Sequence, residues 1–402
     1  MQVIVNVQPL LTPLTGIGHY TRELTLQMLQ WDEASQPVKV HGLTGTFCEP
    51  LHDQHALLQT ADCGSHANAA DAAKGGGAAW RFARRYLRNP LTRRAYRWLA
   101  AQRLQRHTRR LAECGDSLYW EPNYILLPWK GPSVVTVHDL SHERHPDFHP
   151  GERVDFFNRH LAQSLQRASR INVVSRFTAN ELQELHDVDA ARIDIVPPGV
   201  AQRFFQAPGV AQVAQLRQRH SLPTRFLLSV GTLEPRKNLQ NVMQAFAELP
   251  ASDQRAAPLL LAGMQGWGQQ RLSREVEAAM QAGTIRRLGY IPDADLPALY
   301  ALAAGFVYVS RYEGFGMPVI EAMAAGTPVL TANVTATAEV GEGVALLVPP
   351  DDIEAIRQGM QRLLDDDHTV RAAQGRQRAA RFGWPDASRK LRASFQQALE
   401  VR

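Results

Sequence analysis

Two carboxylates eight positions apart, Glu313 and Glu321, bracket the stretch Ser310-Arg-Tyr-Glu-Gly-Phe-Gly-Met-Pro-Val-Ile-Glu321. Eight helical positions span about 12 Å. A glycine turn shortens this, yet the pair is poorly placed to share one bond, as two carboxylates roughly 5 Å apart do in a retaining glycosidase. Each acid is therefore expected to hold a different part of an extended ligand, and acceptor-only oxygens suit hydroxyl donors such as those of a sugar or a ribose. Between them, Gly314 and Gly316 let backbone amides approach a ligand without a side chain in the way. Unpaired amides at the start of the following helix favour an anion. A glycine loop before a helix occurs in any parallel-sheet protein, so the acid spacing carries this reading.

The elements that must hold these groups follow from apolar runs and their breaks. Residues 305–309 read as a strand, 310–316 as a tight loop, and Pro318 as the first turn of a helix. Residues 226–230 form another strand, ended by Gly231, and a helix begins near Leu239 with Asn238 as its expected cap. Arg236 and Lys237 stand where that loop meets the helix, so two cations and a helix N-terminus could converge on one anion. His138 and Asp139 directly follow the run 133–137, at the carboxyl end of a strand, where open α/β sheets bind their ligands. Gly16 and Gly18 follow the run 3–7 and open a helix with Tyr20, Leu24 and Met28 on one face. They do not complete a dinucleotide fingerprint.

At 402 residues the chain suggests two domains, and 45% hydrophobic residues are ample for two cores. Runs at 38–43, 118–120, 171–174, 193–196, 259–262, 285–288, 328–331 and 344–348 alternate with segments able to form helices, which argues for doubly wound parallel sheets. Cys48, Cys63 and Cys114 lack metal-ligand spacing and read as free thiols in a reducing cytoplasm. Residues 1–7 read as a strand rather than a signal peptide, and no apolar run reaches the roughly 18 residues that span a bilayer. The acids Asp365, Asp366 and Asp367 read as an exposed turn, not a metal site.

The net charge of +5 is unevenly placed. Between Asp71 and Glu113 there is no acid, while eleven arginines, from Arg81 to Arg110, crowd into the segment with Trp80, Leu87, Leu91 and Trp98. A solvated face would leave these charges repelling one another. A nucleic-acid groove has no accompanying motif, so nucleic acid is not an expected partner. An anionic membrane surface, or a lipid diphosphate, fits both the arginines and the aromatic rings.

The acid pair with its internal Gly314-Phe315-Gly316, continued by Glu321-Ala-Met-Ala-Ala-Gly-Thr-Pro-Val329, resembles the donor-site motif of the retaining glycosyltransferases of family 4. The resemblance covers nearly the full length, is strongest over 225–350, and leaves out the basic segment. It implies that Glu313 faces the donor sugar, that the loop through Gly314, Phe315, Gly316, Met317 and Val319 lines the donor, and that Glu321 holds the nucleotide ribose. Gly231-Thr-Leu-Glu-Pro-Arg-Lys-Asn238 is similar to the loop whose basic pair, here Arg236 and Lys237, binds the donor diphosphate. His138 would then point at the donor sugar with Asp139 beside it, Tyr290 and Ile291 would lie nearest the nucleobase, and Gly16 and Gly18 would face the cleft. Family members often carry a proline before the glutamate that here is Glu339, which Ala336-Thr-Ala-Glu339 lacks, leaving that loop open.

The fold so implied is α/β, two doubly wound Rossmann-like domains facing a cleft. It comprises an acceptor domain at 1–198 with an insertion at about 72–112, a donor domain at 199–380, and a crossover helix at 381–402. The implied activity is a retaining hexosyl transfer with no metal, through Glu313, His138, Arg236 and Lys237. The stretches quoted look most like bacterial mannosyl-type transferases of lipopolysaccharide and O-antigen assembly. That favours GDP-mannose or a GDP-6-deoxyhexose over a UDP-sugar, a lipid-linked or oligosaccharide acceptor, and a place on the cytoplasmic face of the inner membrane. The rival classes are a dinucleotide-dependent oxidoreductase, which needs the missing glycine fingerprint, and a non-catalytic nucleic-acid or membrane-binding protein, which leaves the second half without purpose.

Overall fold

The computed structural model describes residues 1–11, 14–33, 36–44, 48–52, 117–232, 234–264 and 272–400. The basic segment, Cys63 and Cys114 lie outside these residues. The chain divides into two compact units. The first comprises Met1–Thr136, Leu161–Ile171 and Leu391–Arg402, and the second Val137–His160 and Asn172–Lys390.

The strands in chain order are β1 Gln2–Asn6, β2 Asp32–Glu33, β3 Gln36–Pro37, β4 Lys39–Leu43, β5 Cys48–Pro50, β6 Ser117–Glu121, β7 Ser133–Val137, β8 Arg170–Val173, β9 Ile193–Ile195, β10 Leu227–Val230, β11 Leu259–Ala262, β12 Ile285–Gly289, β13 Gly305–Tyr308, β14 Val329–Ala332 and β15 Leu346–Val348. The helices that matter for the site are α1 Gly16–Met28, α2 Arg176–His186, α3 Leu239–Ala247, α4 Met317–Ala324, α5 Thr335–Gly341, α6 Thr369–Ala379 and α7 Trp384–Glu400.

One seven-stranded sheet has the order β5-β4-β1-β6-β7-β8-β9. Its β1 pairs in parallel with both β4 and β6, while β5 joins antiparallel, on the edge. Val3, Ile4 and Val5 are fully buried. Parallel strands are covered on both faces, which is why they read as continuous apolar runs rather than alternating ones. Within the first unit the end of α7 returns to this core. Phe395 meets the rings of Trp31 and Trp120 edge-on at 5.9 and 6.0 Å, and Arg392 donates to the Asp32 carbonyl at 2.7 Å.

The second sheet, β12-β11-β10-β13-β14-β15, is parallel throughout. The chain winds outward from β10 to β12 and then, from β13, outward in the other direction. β10 and β13 are therefore neighbours whose carboxyl-end loops lead to opposite sides, which opens a crevice between them. Arginines of α6 fasten the helices behind this crevice. Arg376 donates to the Ala324 carbonyl at the end of α4 at 2.8 Å, and Arg378 to the Glu339 and Val340 carbonyls near the end of α5. Cations suit helix C-termini, where carbonyls lack intrahelical partners.

One expectation needs adjusting. Asn238 does not cap α3 with its side chain: its backbone is left-handed at φ 56°, and its amide donates to the Val309 and Pro350 carbonyls at 3.1 and 2.5 Å. Being buried between strand ends, it serves carbonyls there instead of the helix amides. The compact units are discontinuous in sequence. Val137–His160 groups with the second unit, because the loop after β13 packs directly on residues 138–140.

Candidate active site

Glycines make the floor of the crevice. Gly231 follows β10 with φ 152°, and Gly263 follows β11 with φ 145°. A Cβ on Gly263 would stand 2.0 Å from the Gly231 carbonyl oxygen, so the two strand ends can close together only without a side chain. The Gly263 amide donates to the Gly289 carbonyl at the end of β12, at 2.8 Å. Gly263 was not among the expected site residues, although its position just past an apolar run repeats that of Gly231.

Above this floor stand the charges. The short 3₁₀ turn Pro235–Lys237 presents Arg236 and Lys237 to Glu313, with Arg236 Nη1 to Oε2 at 2.6 Å and Lys237 Nζ to Oε1 at 2.7 Å. Tyr308 donates its hydroxyl to the same Oε1 at 2.9 Å and is itself in contact with the Lys237 ammonium. Glu234 holds Arg236 Nε at 2.7 Å. The acid expected to meet a ligand's hydroxyls and the cations expected to meet its phosphates thus bind one another, because a carboxylate only 6% exposed requires charged partners. Burial alone would raise the Glu313 pKa, but Arg236 and Lys237 overturn it and hold it at about 2. Burial and the neighbouring Arg236 push the Lys237 pKa down.

His138 and Asp139 form the wall against which the loop rests. A Cβ on Gly314 would lie 1.8 Å from the His138 carbonyl oxygen and 2.9 Å from the Asp139 Cβ. Tyr312 accepts from the Leu140 amide at 3.1 Å and donates to Glu181. Asp139 accepts from the Ser141 amide and hydroxyl at 3.0 and 2.7 Å, and Ser141 Oγ lies 2.8 Å from His149 Nε2. Burial raises the Asp139 pKa, yet Arg236 and the Ser141 donors bring it below the usual range.

The remaining expected residues are distributed as follows. Phe315 and Val319 are buried side chains, so any ligand contact from them is through backbone, whereas Met317, which opens α4, is half-buried. Gly316 has φ 105°, a conformation that other residues rarely adopt. Tyr290 is 45% exposed and Ile291 lies in the core at 4%. Gly16 opens α1 in the first unit, and Gly18 packs there, its absent Cβ only 2.8 Å from Leu14 Cδ2. No cluster of three or more potential metal ligands occurs among the described residues. Asp365, Asp366 and Asp367 are exposed, as their sequence suggests.

Two groups were missed from the sequence: Tyr308, whose hydroxyl bridges acid and lysine, and Glu234. Glu339, in the loop the sequence leaves open, accepts from the Arg176 and Phe177 amides at the start of α2, at 3.3 and 3.1 Å. It borders a cavity of about 550 Å³ that also includes Asn180, Gln183 and Ile193. A much smaller cavity, about 10 Å³, lies against Gly231, Lys237 and Tyr308. Of the cluster around Glu313, Lys237 and Tyr308 line this smaller one.

Glu321, half-buried on α4, accepts from the Tyr300 hydroxyl at 3.0 Å. Burial lifts its pKa from 4.5 to about 7, with the Tyr300 hydrogen bond opposing and Asp293 adding to the rise. An acid raised in the folded state costs stability once ionised, so the cost is absent below the unfolded pKa and complete above the folded one. The unfolding free energy of wild type minus that of Glu321→Gln is expected to fall between about pH 4.5 and 8 and level off above. Denaturant titrations at several pH values check this, and a flat difference contradicts it. The difference is diagnostic rather than the absolute curve because His149, lowered to about 4 mainly by burial, changes stability in the opposite sense over the same range.

Comparison with known proteins converges on one family. The model for glycosyl transferases group 1 matches residues 214–381, and that for Glycosyltransferase Family 4 matches residues 65–203. The chain is 34% identical over 397 residues to the O-antigen chain mannosyltransferase B of Escherichia coli, covering 96% of this chain and 97% of that one. It is 31% identical over 286 residues to a serotype-specific mannosyltransferase of the same organism, WbdA, covering 68% of this chain and 34% of that one. Among solved structures, WaaG, a glycosyltransferase involved in lipopolysaccharide biosynthesis, superposes with a TM-score of 0.63 at 16% identity over 97% of this chain and 98% of that one. Anabaena HepE, solved with UDP and glucose, superposes with a TM-score of 0.61 at 15% identity over 98% and 99%. At these identities the two structures bear on the fold alone.

Proposed function

Because the chain belongs to the family 4 glycosyltransferases, with their two-domain B-type fold, we propose that it transfers a mannosyl or related 6-deoxyhexosyl group, with retention, from a GDP-sugar to a lipid-linked or oligosaccharide acceptor. Its standing as a hexosyltransferase of the O-antigen mannosylation kind removes the oxidoreductase and non-catalytic readings. The observation that carries the donor assignment is the gathering of Glu313, Arg236 and Lys237 at the β10–β13 switch, with Glu321 on the helix that follows.

In this reading the bond from the anomeric carbon to the diphosphate oxygen breaks as the acceptor oxygen bonds on the same face, and the departing phosphate takes the acceptor's proton. Arg236 and Lys237 neutralise the leaving group, and fixed charges do so without the reorganisation that water requires. Glu313 and His138 border the sugar, and Glu321 accepts from the ribose. Gly231 gives the diphosphate access to backbone, Tyr290 and Ile291 lie nearest the base, and Asp139 with Gly16 and Gly18 borders the acceptor side. No metal is required, since these groups supply the positive charge.

The arginines at 81–110 suit an anionic membrane surface, which would place the enzyme peripherally on the cytoplasmic face of the inner membrane. No helix among the described residues is long and apolar enough to cross a membrane. The donor is tested by slow hydrolysis of a panel of nucleotide sugars. GDP-mannose or a GDP-6-deoxyhexose is expected to be hydrolysed fastest, and preference for a UDP-sugar rejects the guanine assignment while leaving the fold and family intact.

A further inference from the structure

Five non-glycine residues among those described have positive φ: Tyr124, Asp187, Ser221, Asn238 and Thr335. Asp187 and Ser221 are helix C-caps, where left-handed backbone is ordinary. Asn tolerates that conformation well. Thr335, at φ 57°, stands at the other end of a helix, as the first residue of α5. It is also β-branched, and in such residues a left-handed backbone is strained.

The strain coincides with a grip on Glu313. Thr335 Oγ1 accepts from the Glu313 amide at 3.3 Å, and the next amide, that of Ala336, donates to the Glu313 carbonyl at 3.3 Å. Both backbone polar groups of the acid are thus held by two consecutive residues. The same turn touches the loop again, since Thr337 Cγ2 lies 3.2 Å from where a Gly316 Cβ would be, and Thr337 Oγ1 donates to the Val334 carbonyl at 2.8 Å. Glycine would accept the Thr335 backbone without strain but has no hydroxyl to offer the Glu313 amide.

We propose that Thr335 is a positioning residue for the transfer reaction, held in a strained conformation so that its hydroxyl fixes the Glu313 backbone and aims the carboxylate at Arg236 and Lys237. The inference rests on Glu313 being the donor-site acid. Strain retained next to reacting groups is tolerated when the surrounding structure over-determines it, and a small displacement of a catalytic group is costly.

Four variants of the full chain test this by their thermal midpoints and by kcat and KM for GDP-mannose hydrolysis. Thr335→Ser keeps the hydroxyl and is expected to retain turnover within a factor of about three. Thr335→Val keeps the shape without the hydroxyl, and kcat should fall at least about tenfold with KM little changed. Thr335→Gly and Thr335→Ala both lose the hydroxyl and should lose turnover similarly, but only glycine relieves the left-handed strain, so its midpoint should lie about 2–4 °C above that of Thr335→Ala. A midpoint of Thr335→Gly at or below that of Thr335→Ala, or wild-type turnover in Thr335→Val, overturns the proposal. Failure of the unaltered enzyme to hydrolyse GDP-mannose counts against the donor assignment instead, and the comparison of the two midpoints, which needs no substrate, still decides this one.

Discussion

Lys237→Ala is expected to lower turnover by about 10²–10³-fold, the loss typical when one fixed donor to a developing negative charge is removed. The ammonium lies between Glu313 and Tyr308, beside the glycine floor. Its removal also leaves Glu313 with Arg236 as sole cationic partner among the described residues, so part of the loss is repositioning of the acid. Glu313→Gln separates the two effects. Turnover should fall by a similar factor, but nucleoside diphosphate binding should hold or tighten, because the cations are released from a competing carboxylate. Calorimetry with GDP and single-turnover hydrolysis check the pair. Weakened GDP binding in Glu313→Gln with normal turnover would place the acid outside the chemistry.

Gly314→Ala is the second large effect, and it arises from backbone rather than charge. The new Cβ would lie 1.8 Å from the His138 carbonyl oxygen and 2.8 Å from its carbon. Neither is the movable end of a side chain, so the loop itself has to shift. A displacement of about 1 Å at a catalytic group costs roughly 10²-fold in rate, and a lowered melting temperature should accompany it. Gly316→Ala is a useful contrast. Its Cβ would meet side-chain atoms alone, Thr337 Cγ2 at 3.2 Å and Val319 Cγ2 at 3.7 Å, but its φ of 105° strains any side chain, so it should destabilise with a smaller loss of turnover. Equal turnover in Gly314→Ala and wild type would show that the loop is not held against 138–139.

Much of this architecture is visible in the bare sequence. Runs such as 133–137 and 259–262 coincide with strands because buried parallel strands are apolar throughout, and the start of α3 at Leu239 shows in its apolar spacing. The loops that carry Glu313, Arg236 and Lys237 are betrayed by glycines after strands. What the sequence conceals is which charged groups meet. Glu234 and Tyr308 look like an ordinary loop acid and an ordinary strand aromatic, and only the adjacency of β10 and β13 brings them to Glu313. Thr335 is similarly silent, since nothing in Asn333-Val-Thr-Ala marks a left-handed threonine. Asn238 misleads outright: asparagine before a helix suggests a cap, yet burial between strand ends redirects its amide to Val309 and Pro350.

The most direct test is a crystal of the enzyme soaked with GDP-mannose or GDP. The account predicts the diphosphate beside Arg236 and Lys237 above Gly231, the ribose hydroxyls on Glu321, and Glu313 turned from its cations toward the sugar. Nucleotide bound elsewhere, with Glu313 still paired to Arg236 and Lys237 and Glu321 still on Tyr300, would contradict it.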